Sequence, residues 1–262
     1  MDLEGARRWV LQSMGVTVWD RRDGRVVERE DSRDMARGEH PSESPPEREA
    51  PDEILEFRAP EPAVDPESPD PDEIAGMDWA ALEAAVQRCG RCPLHTSRTQ
   101  GVFGVGARDA DWMIIGEAPG ADEDRRGQPF VGRAGQLLDA MLEAVGLDRE
   151  RVFIANILKS RPPENRDPHA DEIAACAPYL ERQIALVRPK LILAVGRIAA
   201  QHLLATSDPV GRLRGKVHAY GRAAIPLVAT YHPAYLLRQP SAKSKSWQDL
   251  RLARRTAAAG LK

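Results

Sequence analysis

Three polar residues lie at or near the ends of short apolar runs in the chain. Glu117 comes directly after the run 112–116, Asn156 lies within the run 151–158, and His232 lies near the end of the run 224–233. A carboxylate can accept a proton or orient a water, and an imidazole can stabilise charge. An amide places a donor and an acceptor side by side, which is what reading the edge of a pyrimidine requires.

The segment between the first apolar run and the next helix is unusually long and rich in glycine. Residues 116–135 (GEAPGADEDRRGQPFVGRAG) contain five glycines and two prolines. Connections in α/β proteins usually have about 2–6 residues, so this length indicates a ligand-binding loop, in which glycine allows close approach of the backbone. The phosphate-binding patterns G-x-x-x-x-G-K and G-x-G-x-x-G do not occur in it, and we expect no nucleotide cofactor.

Apolar runs and helical patterns alternate along this region. The predicted strands are 112–116, 151–158, 190–196 and 224–233, and the main predicted helices are 133–146, 171–187, 197–204 and 246–259. This alternation predicts an α/β fold with three αβα layers around a central four-stranded parallel sheet. Ligands of such sheets bind at the carboxyl ends of the strands, where the three polar residues are expected to meet.

Charge and composition divide the chain into three predicted parts. Residues 1–22 are predicted to form a short amphipathic helical segment, residues 23–75 a disordered acidic linker rich in proline, and residues 76–262 the main folded domain. The linker has eighteen acidic residues against six arginines, whereas residues 76–262 have 27 basic and 19 acidic residues. The domain is therefore basic, which suits a polyanionic partner such as a nucleic acid.

Several motifs, taken in order, resemble family 4 uracil-DNA glycosylases. They are GEAPG and PFVGRAG in the first loop, N-x-x-K-x-R-P-P-x-N-R-D-P from Asn156 onward, and HPA-x-L-L-R from His232 onward. The resemblance covers about residues 79–255. It implies a monofunctional glycosylase that hydrolyses the N-glycosidic bond of a uracil flipped out of DNA and leaves an abasic site for base excision repair.

The resemblance also implies roles for individual residues. The expected substrate-binding residues are Gly116, Ala118, Phe130, Asn156 and Asn165, with Phe130 stacking on the base and Asn156 reading its edge. Expected catalytic residues are Glu117, Glu123 and His232. His232 would stabilise charge on the uracil O2. Glu123 would orient the attacking water while Glu117 shapes the pocket, although the sequence leaves open which glutamate dominates.

Contacts with DNA are expected from two segments. In the resemblance, Leu236, Leu237 and Arg238 match the wedge that fills the gap left by the flipped nucleotide. Alternatively, Leu236 and Leu237 belong to a helix that packs them into the hydrophobic core. Arg161 and Arg166 are candidates for contacts with phosphates.

The cysteines match the family only in part. Members of the family hold a [4Fe–4S] cluster with four cysteines, and here Cys89, Cys92 and Cys176 occupy three of those positions while Ser160 occupies the fourth. Three outcomes stay open: a cluster with Ser160, His95 or His169 as fourth ligand, a three-iron cluster, or no cluster. The cluster would be structural, because it lies far from the sugar chemistry in the resembled fold.

Other function classes remain as alternatives. They are a non-catalytic protein that binds damaged DNA with the same pocket, a variant that traps DNA covalently through its histidine, and an iron–sulfur electron carrier. The N-terminal segment is a candidate for recruiting a repair or replication protein. The chain shows neither an apolar run of about 18 residues nor a signal peptide, so we expect a cytoplasmic location and no membrane partner. We also expect a monomer.

Overall fold

A six-stranded sheet forms the centre of the computed structural model, which describes residues 68–259. The strands are β1 Val105–Gly106, β2 Trp112–Gly116, β3 Phe153–Asn156, β4 Leu191–Val195, β5 Val217–Tyr220 and β6 Ile225–Thr230. Their order in the sheet is β1-β3-β2-β4-β6-β5.

The four central strands are parallel, which confirms the predicted sheet. β2 pairs with β3 on one side and β4 on the other, and β4 pairs with β6. The sequence did not predict the antiparallel edge strands β1 and β5. β1 has only two residues, and β5 is half exposed, so neither contains the continuous apolar run that marks a buried parallel strand.

Helices cover both faces of the sheet. They are α1 Pro71–Gly76, α2 Trp79–Arg88, α3 Ala121–Arg126, α4 Arg133–Glu143, α5 Ala170–Val187, α6 Arg197–Leu203, α7 Val210–Leu213, α8 Pro233–Arg238 and α9 Lys243–Ala259. Short 3-10 helices are Pro93–Thr96, Arg149–Arg151, Pro163–Asn165 and Pro240–Ala242.

Two hydrophobic cores lie on opposite faces of the sheet, as β2 illustrates. Met113 and Ile115 belong to the core that includes α2 and α5, whereas Trp112 and Ile114 belong to the core that includes α4 and α9. Successive side chains of a strand point to opposite faces, so a strand buried on both sides is apolar throughout. The three-layer αβα architecture follows from this double burial.

Helix α1 lies within the range that the sequence assigns to the acidic linker. Asp70 caps the helix by accepting a hydrogen bond from the backbone N–H of Glu73, and Ile74 is fully buried in the core. The folded part of the chain thus includes residues before 76. The predicted helical segment 1–22, its proposed partner and most of the predicted linker lie outside the described residues.

None of the helices between residues 68 and 259 has the length and apolar character needed to cross a membrane.

Candidate active site

A pocket of about 750 Å³ opens at the carboxyl ends of the parallel strands. Glu117 after β2, Asn156 at the end of β3 and His232 after β6 all line it, as the strand pattern predicted. Arg197 also lines the pocket. It begins α6 and is separated from the end of β4 by Gly196 alone. The sheet order therefore gathers residues that are far apart in sequence into one site that could enclose a small ring.

The carboxamide of Asn156 is buried in this pocket, and its oxygen has no partner among the described residues. The residue is 2% exposed, and its Oδ1 has no hydrogen-bond partner in the described part of the chain. An unpaired buried acceptor costs free energy, so the site favours a ligand that presents a donor here. Gly116 makes room for this oxygen, because a Cβ at that position would lie 2.4 Å from Oδ1.

Lys159 stabilises the end of β3 through a hydrogen bond to the backbone of Asn156. Its ammonium is fully buried and donates to the backbone oxygen of Asn156 and to Oε1 of Gln183, both at 2.7 Å. Burial lowers the pKa of Lys159 to about 7. The motif contained this lysine, but the sequence did not indicate that it would support Asn156.

Phe130 lies over the pocket in a constrained backbone conformation. Its φ angle is +53°, in the left-handed region that residues other than glycine seldom adopt, and its side chain is buried. The ring stacks on the imidazole of His232, with centroids 5.5 Å apart and planes 30° apart. A strained residue in a pocket is held there by its surroundings, so the position of this ring is fixed by the packing around it.

His232 is arranged as a neutral hydrogen-bond donor. Its Nδ1 accepts a hydrogen bond from the backbone N–H of Ala234 at 3.2 Å, which leaves the proton of the neutral ring on Nε2. Burial, and next the charge of Arg238, lower the pKa of His232 to about 4. The imidazole is therefore uncharged at neutral pH.

Glu123 organises the loop that carries Phe130. One carboxylate oxygen accepts hydrogen bonds from the backbone N–H groups of Val131 and Gly132, and the other accepts from Gly120. These three bonds tie the start of α3 to the start of α4. Glu123 thus shapes the pocket through the backbone, and its role in orienting a water stays a prediction.

Glu117 is the pocket glutamate whose carboxylate forms no hydrogen bond within residues 68–259. Burial raises the pKa of this carboxyl, as does the nearby charge of Asp167, whereas the charge of Arg197 lowers it. A half-buried carboxylate of this kind is suited to accept a proton from a water. Of the two glutamates, Glu123 is thus the one whose carboxylate is held by backbone N–H groups, and the catalytic role of each glutamate stays a prediction.

Asp167 and Arg197 form an ion pair at the pocket that sequence reasoning missed. The Arg197 Nη2 to Asp167 Oδ2 distance is 2.5 Å, and both side chains are at least half exposed. The signal for Arg197 was its place just after a predicted strand, at the same edge as the three polar residues. Asp167 was visible in the N-R-D-P motif, but its partner could not be seen from the sequence.

The segment after β3 places the remaining polar candidates. Asn165 has a φ of +56° and lines the pocket, and its Oδ1 accepts a hydrogen bond from Nε of Arg161 at 2.8 Å. Arg166 also lines the pocket and makes a two-pronged ion pair with the buried Glu172, at 2.6 and 2.9 Å. Arg166 is therefore engaged in holding α5 as well as exposed at the rim.

Helix α8 divides the predicted DNA wedge. Leu236 is fully buried in the hydrophobic core beside α4, so the expectation that it inserts into DNA is wrong. Neighbouring residues on a helix point about 100° apart. Leu237 consequently faces outward with 37% exposure, next to the exposed Arg238, and stays available for contact with DNA.

Comparisons with known proteins agree with this geometry. The family model described as "Uracil DNA glycosylase superfamily" matches residues 103–251. A type-4 uracil-DNA glycosylase from Pyrobaculum aerophilum is 43% identical over 181 residues, covering 92% of that protein and 66% of this chain. Those from Archaeoglobus fulgidus and Thermotoga maritima are 42% identical, covering 86% and 81% of their lengths and 63% and 60% of this chain.

The chain belongs to the uracil-DNA glycosylase superfamily, and within it to the type-4 family. A type-5 uracil-DNA glycosylase from Pyrobaculum aerophilum is also similar, at 29% identity over 146 residues.

The type-4 relationship directs attention to the three cysteines. Cys89, Cys92 and Cys176 are free, buried and part of one hydrophobic core, and Ser160 is buried as well. Burial raises the pKa of Cys176 to about 12, and its Sγ accepts a hydrogen bond from the backbone N–H of Lys159 at 3.3 Å.

Three free thiols are the type of ligand that iron–sulfur clusters use. Within residues 68–259, no group of three or more His, Cys, Asp or Glu lies close enough to hold a single metal ion. A four-iron cluster is larger than one ion and binds each ligand through a different iron, so its ligands lie farther apart. The fourth position has a hydroxyl in place of a thiol. This Ser160 hydroxyl accepts a hydrogen bond from the guanidinium of Arg98 at 2.8 Å.

Proposed function

We propose that this protein is a monofunctional uracil-DNA glycosylase, which hydrolyses the bond between uracil and deoxyribose and leaves an abasic site for base excision repair. The observation that carries the proposal is the unpaired Oδ1 of Asn156. Uracil offers it the N3–H donor, while the amide Nδ2 donates to O4. Cytosine presents an acceptor and a donor in the opposite order, so it would leave buried polar groups unpaired and is rejected.

His232 supports departure of the base. Breaking the C1′–N1 bond sends the electron pair onto uracil, and negative charge builds on O2. The Nε2–H of neutral His232 donates to that oxygen. A preorganised donor is worth most in a site that excludes water, where it stabilises charge formed only in the transition state.

Glu117 acts on the sugar side. The sugar carbon becomes positively charged as the base leaves, and a carboxylate nearby stabilises that charge. A water attacks C1′ and gives its proton to Glu117, from which the proton passes to solvent. The raised pKa of the Glu117 carboxyl brings it closer to neutral pH and makes it a better proton acceptor.

The rest of the pocket supplies binding energy for the flipped nucleotide. Phe130 stacks on the base, and Asn165 and Ala118 complete the walls. Leu237 and Arg238 contact the DNA beside the vacated position, where an apolar side chain offsets part of the cost of unstacking. Arg161 and Arg166 contribute positive charge at the same rim, facing the phosphates.

A cluster on Cys89, Cys92 and Cys176, with Ser160 at the fourth position, completes the proposal. When bound, it would cross-link the C-x-x-C segment to α5 and to the loop after β3. A serine ligates iron only as an alkoxide, a harder donor than thiolate, so the bond from Ser160 would be the weakest of the four to the cluster. Excision chemistry involves none of these residues.

One experiment tests the proposed reaction. The purified protein is incubated with labelled oligonucleotides carrying one uracil, one cytosine or one thymine, and abasic sites are then broken with hot alkali. Cleavage at uracil alone is expected. Binding to uracil-containing DNA without cleavage would replace the proposal with a non-catalytic sensor of damaged bases.

A further inference from the structure

Arg197 lies at the centre of the pocket edge, and none of the motifs quoted above includes it. β4 lies between β2 and β6, so Arg197 stands between Glu117 and His232 along the carboxyl edge of the sheet. Its side chain is 51% exposed. The residue therefore borders the space where the sugar and its phosphates would lie when the base is inserted.

The partner of Arg197 reaches it from the other side of Glu117. Asp167 belongs to the segment after β3, and β3 and β4 flank β2. The ion pair thus joins the two strands on either side of β2, beyond the end of which Glu117 lies. Asp167 is 67% exposed and makes one close contact with the guanidinium.

This ion pair differs from the second one at the rim. Arg166 is fastened to Glu172 by two hydrogen bonds, and the Glu172 side chain is only 3% exposed. The Arg197 and Asp167 side chains are both open to water, where an ion pair contributes about 0–1 kcal/mol. A phosphate offers the guanidinium two oxygens in a matching fork, so it can displace the aspartate.

We propose that Arg197 is a phosphate-binding residue for the flipped nucleotide, and that Asp167 holds the guanidinium at the pocket until a DNA phosphate replaces it. The inference rests on the proposed function, because only a base drawn out of DNA brings its own phosphates to this edge. Asp167 therefore has two effects. It positions Arg197, and it weakens the binding of DNA because it competes with the phosphate for the guanidinium.

The proposal predicts opposite effects for the two members of the pair. Binding is measured with an oligonucleotide containing 2′-fluoro-deoxyuridine, in which fluorine slows cleavage by destabilising the positive sugar. Arg197→Ala should weaken binding about tenfold, the value of one charge-assisted contact, and lower the salt dependence by about one phosphate contact. Asp167→Asn should tighten binding, because the competing anion is gone. A purely structural pair would weaken binding in both variants.

A substrate change identifies the phosphate itself. Methylphosphonate, which is neutral, replaces the phosphate on either side of the deoxyuridine. At the contacted phosphate it should weaken wild-type binding about tenfold and leave Arg197→Ala unaffected. Equal losses in both proteins at every position would overturn the proposal. Arg197→Lys should recover part of the affinity, since it restores the charge without the fork.

The control is an exposed ion pair at the opposite edge of the sheet. Lys190 lies 2.8 Å from Asp111, just before β4, and both side chains are about half exposed. Lys190→Ala removes the same charge and should bind DNA like the wild type. Failure of the proposed function looks different, because the wild-type protein would then not prefer uracil to thymine.

Discussion

The side chain of Asn156 lies against the backbone of Gly116, so closely that a Cβ at position 116 would come within 2.4 Å of Oδ1. The same Cβ would lie 2.6 Å from Cζ of Phe130. The amide of Asn156 and the ring of Phe130 therefore share the space left by the missing Cβ of Gly116.

Gly116→Ala should abolish most excision while leaving the fold intact. The added methyl displaces Asn156 and Phe130, and a shift of about 1 Å in an active site can reduce the rate about 100-fold. Single-turnover excision measures the loss. The control is Gly76→Ala, where a Cβ would meet no heavy atom within 4 Å. Equal rates for the two variants would refute the packing argument.

Asn156→Ala should lose at least about 100-fold in the rate of uracil excision, because it removes the groups that recognise N3 and O4. Affinity for DNA should change little, since phosphate contacts dominate it. The variant should also stay folded, as Oδ1 has no hydrogen bond to lose within the described residues. Excision at the wild-type rate would rule out the assigned role.

Stability should depend on pH through His232. Burial lowers its pKa to about 4, against an ordinary value near 6.5, so between these values the unfolded chain binds a proton that the folded protein does not. The free energy of unfolding should therefore fall as pH decreases from about 6.5 to about 4. Urea unfolding of His232→Asn should show a shallower fall. Parallel curves for both proteins would contradict this.

The pH profile of kcat/KM should report Glu117. Burial and the charge of Asp167 raise the pKa of its carboxyl. The acidic limb of the profile should therefore lie at a higher pH than the ordinary glutamate pKa of about 4.3. Asp167→Asn removes a negative neighbour and should move that limb to lower pH. Glu117→Gln should be impaired across the whole range. An unshifted limb in Asp167→Asn would show that another group controls the profile.

Ser160→Cys should raise the iron content of the purified protein, because it supplies a fourth thiolate beside Cys89, Cys92 and Cys176. Iron analysis and visible absorbance provide the measurement. Ser246→Cys is a matched control, since Ser246 is also buried but lies in α9, a helix that contributes to the core on the opposite face of the sheet. Equal iron in both variants would exclude position 160 as a ligand.

The sequence by itself determined the parallel sheet and the edge at which the site lies. Continuous apolar runs such as 112–116 and 190–196 report burial on both faces, and that signal is local. Polar residues at the ends of such runs, Glu117 and His232 among them, could therefore be assigned to one edge before the strand order was known.

Other features depended on contacts between distant segments. The three backbone partners of Glu123 come from both ends of the long loop, and the opposite exposures of Leu236 and Leu237 depend on how α8 packs against α4. Neither relation is encoded in local spacing.

The pairing of Arg197 with Asp167 and the unpaired oxygen of Asn156 were decided only by the tertiary structure. Sequence pattern identifies which residue types follow a strand. Which side chain lies beside which, and which polar atom has no partner, depends on strand order and packing, because hydrogen bonds and ion pairs act over only a few ångströms.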